Sequence, residues 1–422
     1  MKLTLPYGRT GLELELPDSV HVVRGPSETP LADPAASIAA ALEDPTGTAP
    51  LRSLLHGRRR VAIIHSDITR ATPNALILPP LLSELERSGV SEGDITLINA
   101  TGMHRVQTKA ELETLLGGAV VRRYRCVQHD ARDASMLASA GRTSRGDELM
   151  VNRAWLEADF RIATGFIEPH FFAGYSGGPK AVFPGIAGEA DIKRNHRASN
   201  IDHPHATWGV TEGNPVWEEM AEGARLARMD FLLNVTLDSG QRVTGVFAGD
   251  PESAHRAGCE HVKRSAMVAL DAPFDVVVTS NSGYPLDQNL YQAVKGMSAA
   301  ASITSDGGSI ILAAACEEGL PSGSCYEELL SRFDDPESFL AALTGGAVSE
   351  AEQWQVQVQA KILVKKEVYL YSGGVSASEA GRAMLRHTAD IPATLDSLMR
   401  RYGPRGRVAV LVDGPQSIPY VR

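Results

Sequence analysis

The sequence predicts an α/β protein with two domains, and three observations support this prediction. The chain has 422 residues, more than one ordinary hydrophobic core organises, so two domains are expected. Apolar strand-like runs alternate with helical segments along most of the chain, a pattern typical of parallel sheets covered by helices. Hydrophobic residues make up 43% and charged residues 22%, values that exclude a disordered chain, a collagen and a coiled-coil rod.

The larger, N-terminal domain is predicted over residues 1–270, with a mainly parallel sheet. Residues 2–17 alternate apolar and polar side chains around Gly8 and Gly11, which predicts a β-hairpin. Residues 231–237 and 243–247 flank a turn and predict a second hairpin. Between the hairpins, a helix is predicted over 74–88 and strands over 60–66, 94–99, 121–127 and 160–164.

A smaller C-terminal α/β domain is predicted over residues 271–404. Its strands are expected over 274–279, 309–315 and 367–371, with helical segments between them. A further strand lies within 405–422, and we expect it to return to the N-terminal domain and complete that sheet. The active site is expected in the cleft between the two domains.

Charge and cysteine content exclude several classes of protein and of binding site. The chain carries 41 Lys and Arg against 51 Asp and Glu, a net charge of -10, which is the wrong sign for binding a nucleic-acid backbone. The four cysteines are scattered without a Cys-x-x-Cys pair, so neither a disulfide framework nor a thiolate zinc site is expected. No apolar run is long enough to span a bilayer and no export signal is visible. We therefore expect a cytoplasmic protein that binds neither membranes nor nucleic acid.

Three of the 12 histidines stand in unusual surroundings. His104 and His170 follow predicted strands, in loops of the kind that form α/β active sites. His196 lies in Lys-Arg-Asn-His-Arg, downstream of a segment dense in glycine and proline.

That segment, residues 174–188, contains Lys180. A phosphate-binding P-loop needs Gly before the Lys and Ser or Thr after it, whereas Pro179 and Ala181 stand there, so the P-loop interpretation fails. Two interpretations stay open. One is a glycine-rich turn with a solvated Lys180; the other is a loop whose backbone approaches a flat or phosphorylated cofactor, with Lys180 as the attachment point.

Two further basic residues are candidates for substrate binding. Arg70 follows a predicted strand, close to Asp67 and before a proline, a position suited to planar recognition of a carboxylate. Lys295 lies in Tyr-Gln-Ala-Val-Lys-Gly. The alternative to substrate binding is that Lys295 is an ordinary surface charge.

Five motifs lie in order along nearly the whole chain. The specific one is Pro-His-Phe-Phe-Ala-Gly-Tyr-Ser-Gly-Gly-Pro-Lys, residues 169–180. The others are Ser-Asp-Ile-Thr-Arg-Ala-Thr-Pro at 66–73, Thr-Gly-Met-His at 101–104, Arg-Asn-His at 194–196 and Tyr-Gln-Ala-Val-Lys at 291–295. Together with Trp354, these motifs resemble the nickel-dependent lactate racemase family.

The resemblance implies a racemase or epimerase of a 2-hydroxy acid that uses a nickel pincer nucleotide, a pyridinium-3-thioamide-5-thiocarboxylic acid mononucleotide. It implies that Lys180 joins the cofactor through a thioamide, that His196 binds nickel, and that His104 and His170 are the paired acid and base. It assigns the substrate to Arg70, Lys295, Tyr291 and Gln292. Cofactor contacts are implied for Asp67, Thr69, Gly174, Ser176, Gly177 and Gly178, and the partners implied are the substrate and the enzymes that mature the cofactor.

The chemistry calls for the same set of residues. The Cα–H of a 2-hydroxy acid is a weak acid, so racemisation is easier when a hydride leaves and returns to the other face of a flat 2-keto acid. Two facing imidazoles supply a base for either enantiomer, and cationic side chains hold the carboxylate meanwhile. Imidazole is also a suitable ligand of nickel.

Two other functions remain open at the level of sequence. The three histidines 104, 170 and 196 could bind one divalent ion in an epimerase or dehydratase without the pincer cofactor. Alternatively, the chain could be a non-enzymatic binding protein for organic acids or nucleotides. The motifs also leave the acid's side chain open, so lactate, malate, longer, aromatic and sugar acids all fit them.

Overall fold

A computed structural model describes residues 1–25 and 28–422, and it confirms the α/β fold class. The described chain forms two compact units. One, called here the N-terminal unit, comprises residues 28–196 and 203–263; the other, the C-terminal unit, comprises residues 1–25, 197–202 and 264–422.

The strands of both units are numbered along the described chain. They are β1 Lys2–Leu5, β2 Leu12–Glu15, β3 His21–Val23, β4 Val61–Ser66, β5 Ile95–Ala100, β6 Arg125–Gln128, β7 Leu137–Arg142, β8 Glu148–Asn152, β9 Phe160–Phe166, β10 Pro169–His170, β11 Gly174–Tyr175, β12 Phe231–Leu237, β13 Val243–Gly249, β14 Met267–Leu270, β15 Phe274–Ser280, β16 Thr304–Ala313, β17 Glu367–Tyr371, β18 Arg386–His387, β19 Val408–Leu411 and β20 Ile418–Val421.

The α-helices are numbered in the same way. They are α1 Pro34–Glu43, α2 Leu51–Leu54, α3 Asn74–Arg87, α4 Lys109–Leu116, α5 Gly118–Arg123, α6 Arg153–Leu156, α7 Glu189–Asn195, α8 Ala198–Ile201, α9 Pro215–Leu226, α10 Pro251–Ala266, α11 Leu290–Ala301, α12 Cys325–Arg332, α13 Pro336–Thr344, α14 Gln353–Leu363, α15 Ala377–Arg382 and α16 Ile391–Tyr402. No helix within the described ranges is long and apolar enough to cross a membrane.

The sheet of the N-terminal unit has six strands in the order β13-β12-β9-β4-β5-β6. All neighbours are parallel except the hairpin of β12 and β13. Five consecutive residues of β4, Val61 to His65, are buried, as expected for a strand covered on both faces. The chain runs β4, β5, β6 in one direction and then continues at β9 on the other side of β4. The topological switch point, where open α/β sheets bind ligands, therefore lies between β4 and β9.

The predicted strand over residues 121–127 is only partly right. Residues 118–123 form α5, and the strand β6 begins at Arg125. The β-branched pair Val120 and Val121 suggests a strand, but Val120 is buried while Arg122 and Arg123 face outward from one helical turn. Packing of this short helix against its neighbours overrides the local preference.

The sheet of the C-terminal unit also has six strands, in the order β18-β17-β16-β15-β19-β3, with parallel pairing throughout. The prediction that residues 405–422 complete the N-terminal sheet is wrong, because β19 lies between β15 and β3, and β20 pairs with β14. The assignment of residues 1–25 to the N-terminal domain is also wrong, because β3 pairs with β19 and these residues belong to the C-terminal unit. Val408, Val410 and Val412 pack in one apolar cluster with Val276 and Val278 of β15, a long-range contact with no local signal.

Candidate active site

The loops after β4, β5 and β9 bring predicted site residues to the switch point of the N-terminal unit. Asp67 and Arg70 follow β4, His104 follows β5 and His170 follows β9. These three strands are adjacent and parallel, so their carboxyl ends meet at one edge of the sheet. The amide of Gly102 donates to the carbonyl of Gly185 over 2.9 Å, and the amide of Gly185 donates to the carbonyl of Lys180 over 3.1 Å. The loop that carries His104 is thereby joined to the segment that carries Lys180.

His104 is oriented by a buried carboxylate. Its Nδ1 lies 2.7 Å from Oδ2 of Asp67, and the hydroxyl of Thr69 donates to the other carboxylate oxygen over 2.8 Å. A carboxylate only accepts, so Nδ1 carries the proton of the neutral ring and Nε2 carries the lone pair. The resemblance assigned Asp67 and Thr69 to the cofactor; the geometry gives both a direct role in fixing the tautomer of His104.

Asp67 stays ionised despite its burial. Burial alone would raise the pKa of this carboxyl group, but the neighbouring His104 and Arg70 and the hydroxyl of Thr69 outweigh it and hold the pKa below its usual value. Arg70 therefore lies close enough to act on Asp67. Its Nη1 is buried and has no hydrogen-bond partner among the described residues, and such a donor calls for an acceptor.

His170 and Lys180 form a second cluster. The amide of Ala173 donates to Nδ1 of His170 over 3.2 Å. Nζ of Lys180 lies 3.4 Å from Nε2 of the same ring. The ring of Phe172 packs edge-on against His170, with centroids 4.6 Å apart, and Nζ of Lys180 lies 5.8 Å from the centre of the same ring.

His196 belongs to this second cluster. It caps the C-terminus of α7, where its Nδ1 lies 3.1 Å from the carbonyl of Ile192, and its ring contacts Phe172 edge-on at 5.2 Å. Burial first, and then the positive charge of Lys180, lower the pKa of His196 to about 3. The imidazole is therefore neutral, with Nδ1 donating to the carbonyl and Nε2 carrying the lone pair, the state that binds a metal ion.

The glycines of the loop are required by protein packing. A Cβ at Gly174, which has φ +75°, would lie 2.3 Å from the carbonyl oxygen of Val210. A Cβ at Gly177 would lie 2.6 Å from Oδ1 of Asn234, and Gly177 and Gly178 also have positive φ. Ser176 uses its hydroxyl within the loop, donating to the carbonyl of Phe166 and accepting from the amide of Glu168, both over 2.9 Å. These four residues build the loop, and their predicted cofactor contacts stay a prediction.

In the C-terminal unit, the remaining predicted residues share one helix. α11 begins after Asn289, whose side chain accepts from the amide of Gln292. Tyr291 and Lys295 are four residues apart and so share a face of the helix; Lys295 is only 7% exposed. The indole of Trp354 on α14 donates to the hydroxyl of Tyr291 over 3.0 Å. α14 thus holds the first turn of α11 in place.

Two buried residues that sequence reasoning missed anchor the glycine-rich loop. The amide of Gly178 donates to Oδ1 of Asn234 over 2.8 Å, and Nε2 of His255 lies 2.9 Å from the carbonyl oxygen of Ser176. The signal for Asn234 is a polar amide within the otherwise apolar strand β12, because buried polar groups need partners. His255 gives no such signal on its helix.

The described residues contain no group of three or more His, Cys, Asp or Glu side chains arranged to hold a metal ion. The alternative in which His104, His170 and His196 bind one divalent ion therefore has no geometric support within residues 1–25 and 28–422. A site that draws on a single imidazole, with other ligands supplied by a cofactor, does not need such a group.

Two family models match this chain: the lactate racemase N-terminal domain over residues 7–209 and the lactate racemase C-terminal domain over residues 270–418. The lactate racemase of Thermoanaerobacterium thermosaccharolyticum is 38% identical over 374 residues, 87% of each chain. The lactate racemase of Lactiplantibacillus plantarum is 38% identical over 376 residues, 88% of each chain.

Solved structures agree with the sequence comparison. The lactate racemase apoprotein of T. thermosaccharolyticum superposes with a TM-score of 0.91 at 35% identity, covering 100% of both chains. A Thermotoga maritima protein superposes with a TM-score of 0.72 at 19% identity, covering 94% of this chain and 100% of its own, a likeness of fold alone. Matches to both domain models, together with the identity to curated racemases over most of the chain, show that this protein is an isomerase that belongs to the lactate racemase family.

Proposed function

We propose that this protein racemises a lactate-like 2-hydroxy acid by hydride abstraction and return through a nickel pincer nucleotide. The observation that carries the proposal is the pairing of His104 with Asp67, at 2.7 Å, beside the buried donor of Arg70. A base with a fixed tautomer next to a cation suits a substrate that presents a hydroxyl group and a carboxylate together. The relatives of the chain, whose names say that they racemise lactate, support the same substrate class.

The second cluster fits the cofactor. His196 is a neutral buried imidazole whose Nδ1 is engaged by a carbonyl, so Nε2 suits a bond to nickel. Lys180 places an amine in the same cluster, where it would form the thioamide. When bound, the cofactor supplies an electrophilic pyridinium that accepts a hydride, together with carbon and sulfur ligands for the metal.

The two histidines would serve opposite enantiomers. Nε2 of His104 holds a lone pair and can take the hydroxyl proton directly, after which Asp67 stabilises the imidazolium. For His170 to act as a base through Nε2, its proton must lie on Nδ1, so the bond that Ala173 donates to Nδ1 must break.

The remaining residues would hold the substrate. Arg70 would bind the carboxylate with its buried Nη1. We propose that Lys295, with Tyr291 and Gln292 of the same helix, binds the carboxylate and hydroxyl while the flat keto acid turns. In this proposal the protein works in the cytoplasm, and its partners are the enzymes that mature the cofactor.

Protein produced together with cofactor-maturation enzymes and nickel should interconvert the enantiomers of at least one 2-hydroxy acid. The measurement is chiral chromatography on a panel of single-enantiomer substrates that covers lactate, malate, longer, aromatic and sugar acids. Nickel should be present in a one-to-one ratio with an organic cofactor. Zinc or iron without that cofactor would favour the metal-only epimerase, and failure on the whole panel would favour a binding protein.

The attachment of the cofactor is tested on the same material. Lys180→Ala should retain less cofactor, because the thioamide needs that amine. Intact-mass spectra should show an adduct on the parent chain and none on the variant. An identical adduct on both chains would place the attachment elsewhere.

A further inference from the structure

We propose that His255 is a positioning residue for the racemase site, because its imidazole holds the loop that carries His170 and Lys180. The inference deepens the proposed function, since it rests on the roles given above to those two side chains. His255 lies on α10 of the N-terminal unit, far from the loop in the sequence.

A hydrogen bond joins His255 to the loop. Its Nε2 lies 2.9 Å from the carbonyl oxygen of Ser176. A carbonyl only accepts, so Nε2 carries the proton and donates it. Burial lowers the pKa of His255 to about 4, so the ring is neutral at pH 7 and Ser176 receives its one N–H. A buried carbonyl that loses such a partner is left with an uncompensated desolvation cost.

The ring also fills the space that a side chain at Gly178 would need. A Cβ at Gly178 would lie 2.4 Å from Cδ2 of His255, and this glycine has φ +51°. The imidazole stacks on Trp217, with centroids 5.0 Å apart and planes 20° apart. The sulfur of Cys259 lies 3.4 and 3.6 Å from the two ring nitrogens. A hydrogen bond in the ring plane would leave one nitrogen much farther away, so the sulfur packs against the ring.

The side chains of Asn234 and His255 both hold the loop directly before Lys180. Asn234 accepts from the amide of Gly178 over 2.8 Å, and His255 donates to Ser176 two residues earlier. The 3-10 turn Gly178–Ala181, which contains Lys180, begins at this point. Both bonds therefore fix the backbone that leads into Lys180, and loss of either one weakens this fixation.

A cavity of about 680 Å³ borders His255 on this side of the loop, and Tyr175, Pro179, Trp217 and Cys259 also line it. Loss of the imidazole would enlarge the cavity and leave the carbonyl of Ser176 free to move into it. A shift of this kind would displace Lys180 and His170 while leaving Arg70, on another loop, in place.

The test compares two replacements of His255 in the full chain, matured with cofactor. His255→Leu keeps an apolar side chain but has no donor, and His255→Gln places an amide N–H near the position of Nε2. We expect His255→Leu to lower kcat about 10- to 100-fold, the usual loss when a supporting hydrogen bond is removed, with KM within roughly 3-fold of the parent. His255→Gln should recover most of kcat.

A second readout does not depend on activity. Amide hydrogen exchange of peptides covering residues 174–181 should be faster in His255→Leu than in the parent and near the parental rate in His255→Gln. His261→Leu is the matched control, since it removes a histidine from the same helix that contacts Glu28 over 2.8 Å instead of the loop. It should leave kcat and the exchange of residues 174–181 unchanged.

Parental kcat and loop exchange in His255→Leu would overturn the inference. So would a loss in which His255→Gln and His255→Leu are equal, because that pattern indicates packing alone. If His255→Leu does not fold, His255→Gln decides: parental loop exchange supports the inference, and fast exchange contradicts it. A parent chain without racemase activity would instead defeat the proposed function, and the exchange comparison would still decide the role of His255.

Discussion

At the scale of the residue, hydrogen bonds set the state of each imidazole. Asp67 fixes the proton of His104 on Nδ1, while His170 lies between two donors, the amide of Ala173 at Nδ1 and Nζ of Lys180 at Nε2. His104 and His170 were predicted from their places after strands. Their tautomers depend on atoms that only the folded chain brings near, and no sequence pattern encodes them.

Replacing Asp67 tests the orientation of His104. Asp67→Asn keeps the shape but offers an amide where the carboxylate accepted from Nδ1, so the ring can hold its proton on Nε2 and lose its base. We expect kcat to fall roughly 10²- to 10⁴-fold, measured as racemisation of the best substrate at matched nickel content. Asp159→Asn is the control, because it alters a surface carboxylate paired with Arg60; it should leave kcat unchanged. Similar kcat values in the two variants would remove Asp67 from the mechanism.

The two histidines should differ in a half-reaction. Replacing either one impairs both directions of racemisation, because the equilibrium constant fixes the ratio of the two rates. In single-turnover reduction of the cofactor, His104→Ala should slow hydride transfer from one enantiomer, and His170→Ala should slow hydride transfer from the other. Each rate should fall about 10²- to 10⁴-fold. Nickel and cofactor occupancy must match the parent. Equal slowing of both enantiomers in both variants would contradict the assignment of two bases.

At the scale of the element, the strands were largely predictable and the loops were not. The buried runs of β4, β5, β9 and β12 are near-continuous apolar segments, so local pattern identifies them. The glycine-rich loop was recognised, but the reason for its glycines was not. The backbone of Val210 and the side chains of Asn234 and His255 occupy the space beside them, and all three lie far along the chain.

Alanine variants of two glycines with nearly equal φ distinguish the cost of backbone strain from the cost of steric crowding. Gly174 has φ +75° and its added Cβ would lie 2.3 Å from the carbonyl of Val210, whereas Gly57 has φ +76° with nothing within 4 Å. Gly57→Ala should lower the free energy of unfolding by about 1 kcal/mol from the positive φ. Gly174→Ala should lower it by roughly 1 to 3 kcal/mol more, because the backbone must move. Urea denaturation measures both, and equal losses would show that the loop is not crowded.

At the scale of the whole molecule, the sequence indicated two α/β units but not how the chain divides between them. Residues 1–25 and the last strands belong to the unit built mainly from residues 264–422. Strand pairing joins segments hundreds of residues apart, such as β3 with β19. An apolar strand fits equally well in either sheet, so the hydrophobic pattern cannot choose between them.

Truncating a buried side chain of β19 tests how the chain divides between the two units. Leu411 is fully buried and pairs with Thr279 of β15 and Val23 of β3. Leu411→Ala should lower the free energy of unfolding by about 2 to 5 kcal/mol. Hydrogen exchange should rise in peptides covering 21–23 and 274–280 and stay parental in 61–66 of the N-terminal sheet. A rise confined to 61–66 would contradict the observed pairing.

Hydride return and proton exchange leave different marks on the substrate. One enantiomer of the best substrate is labelled with deuterium at Cα and converted in ordinary water by the nickel-loaded chain. The product enantiomer is isolated, and its mass is measured by mass spectrometry. Hydride abstraction and return through the cofactor predicts that the product keeps its deuterium, because the hydrogen never enters solvent. A product that carries hydrogen from water at Cα would contradict it and show that the Cα hydrogen leaves as a proton.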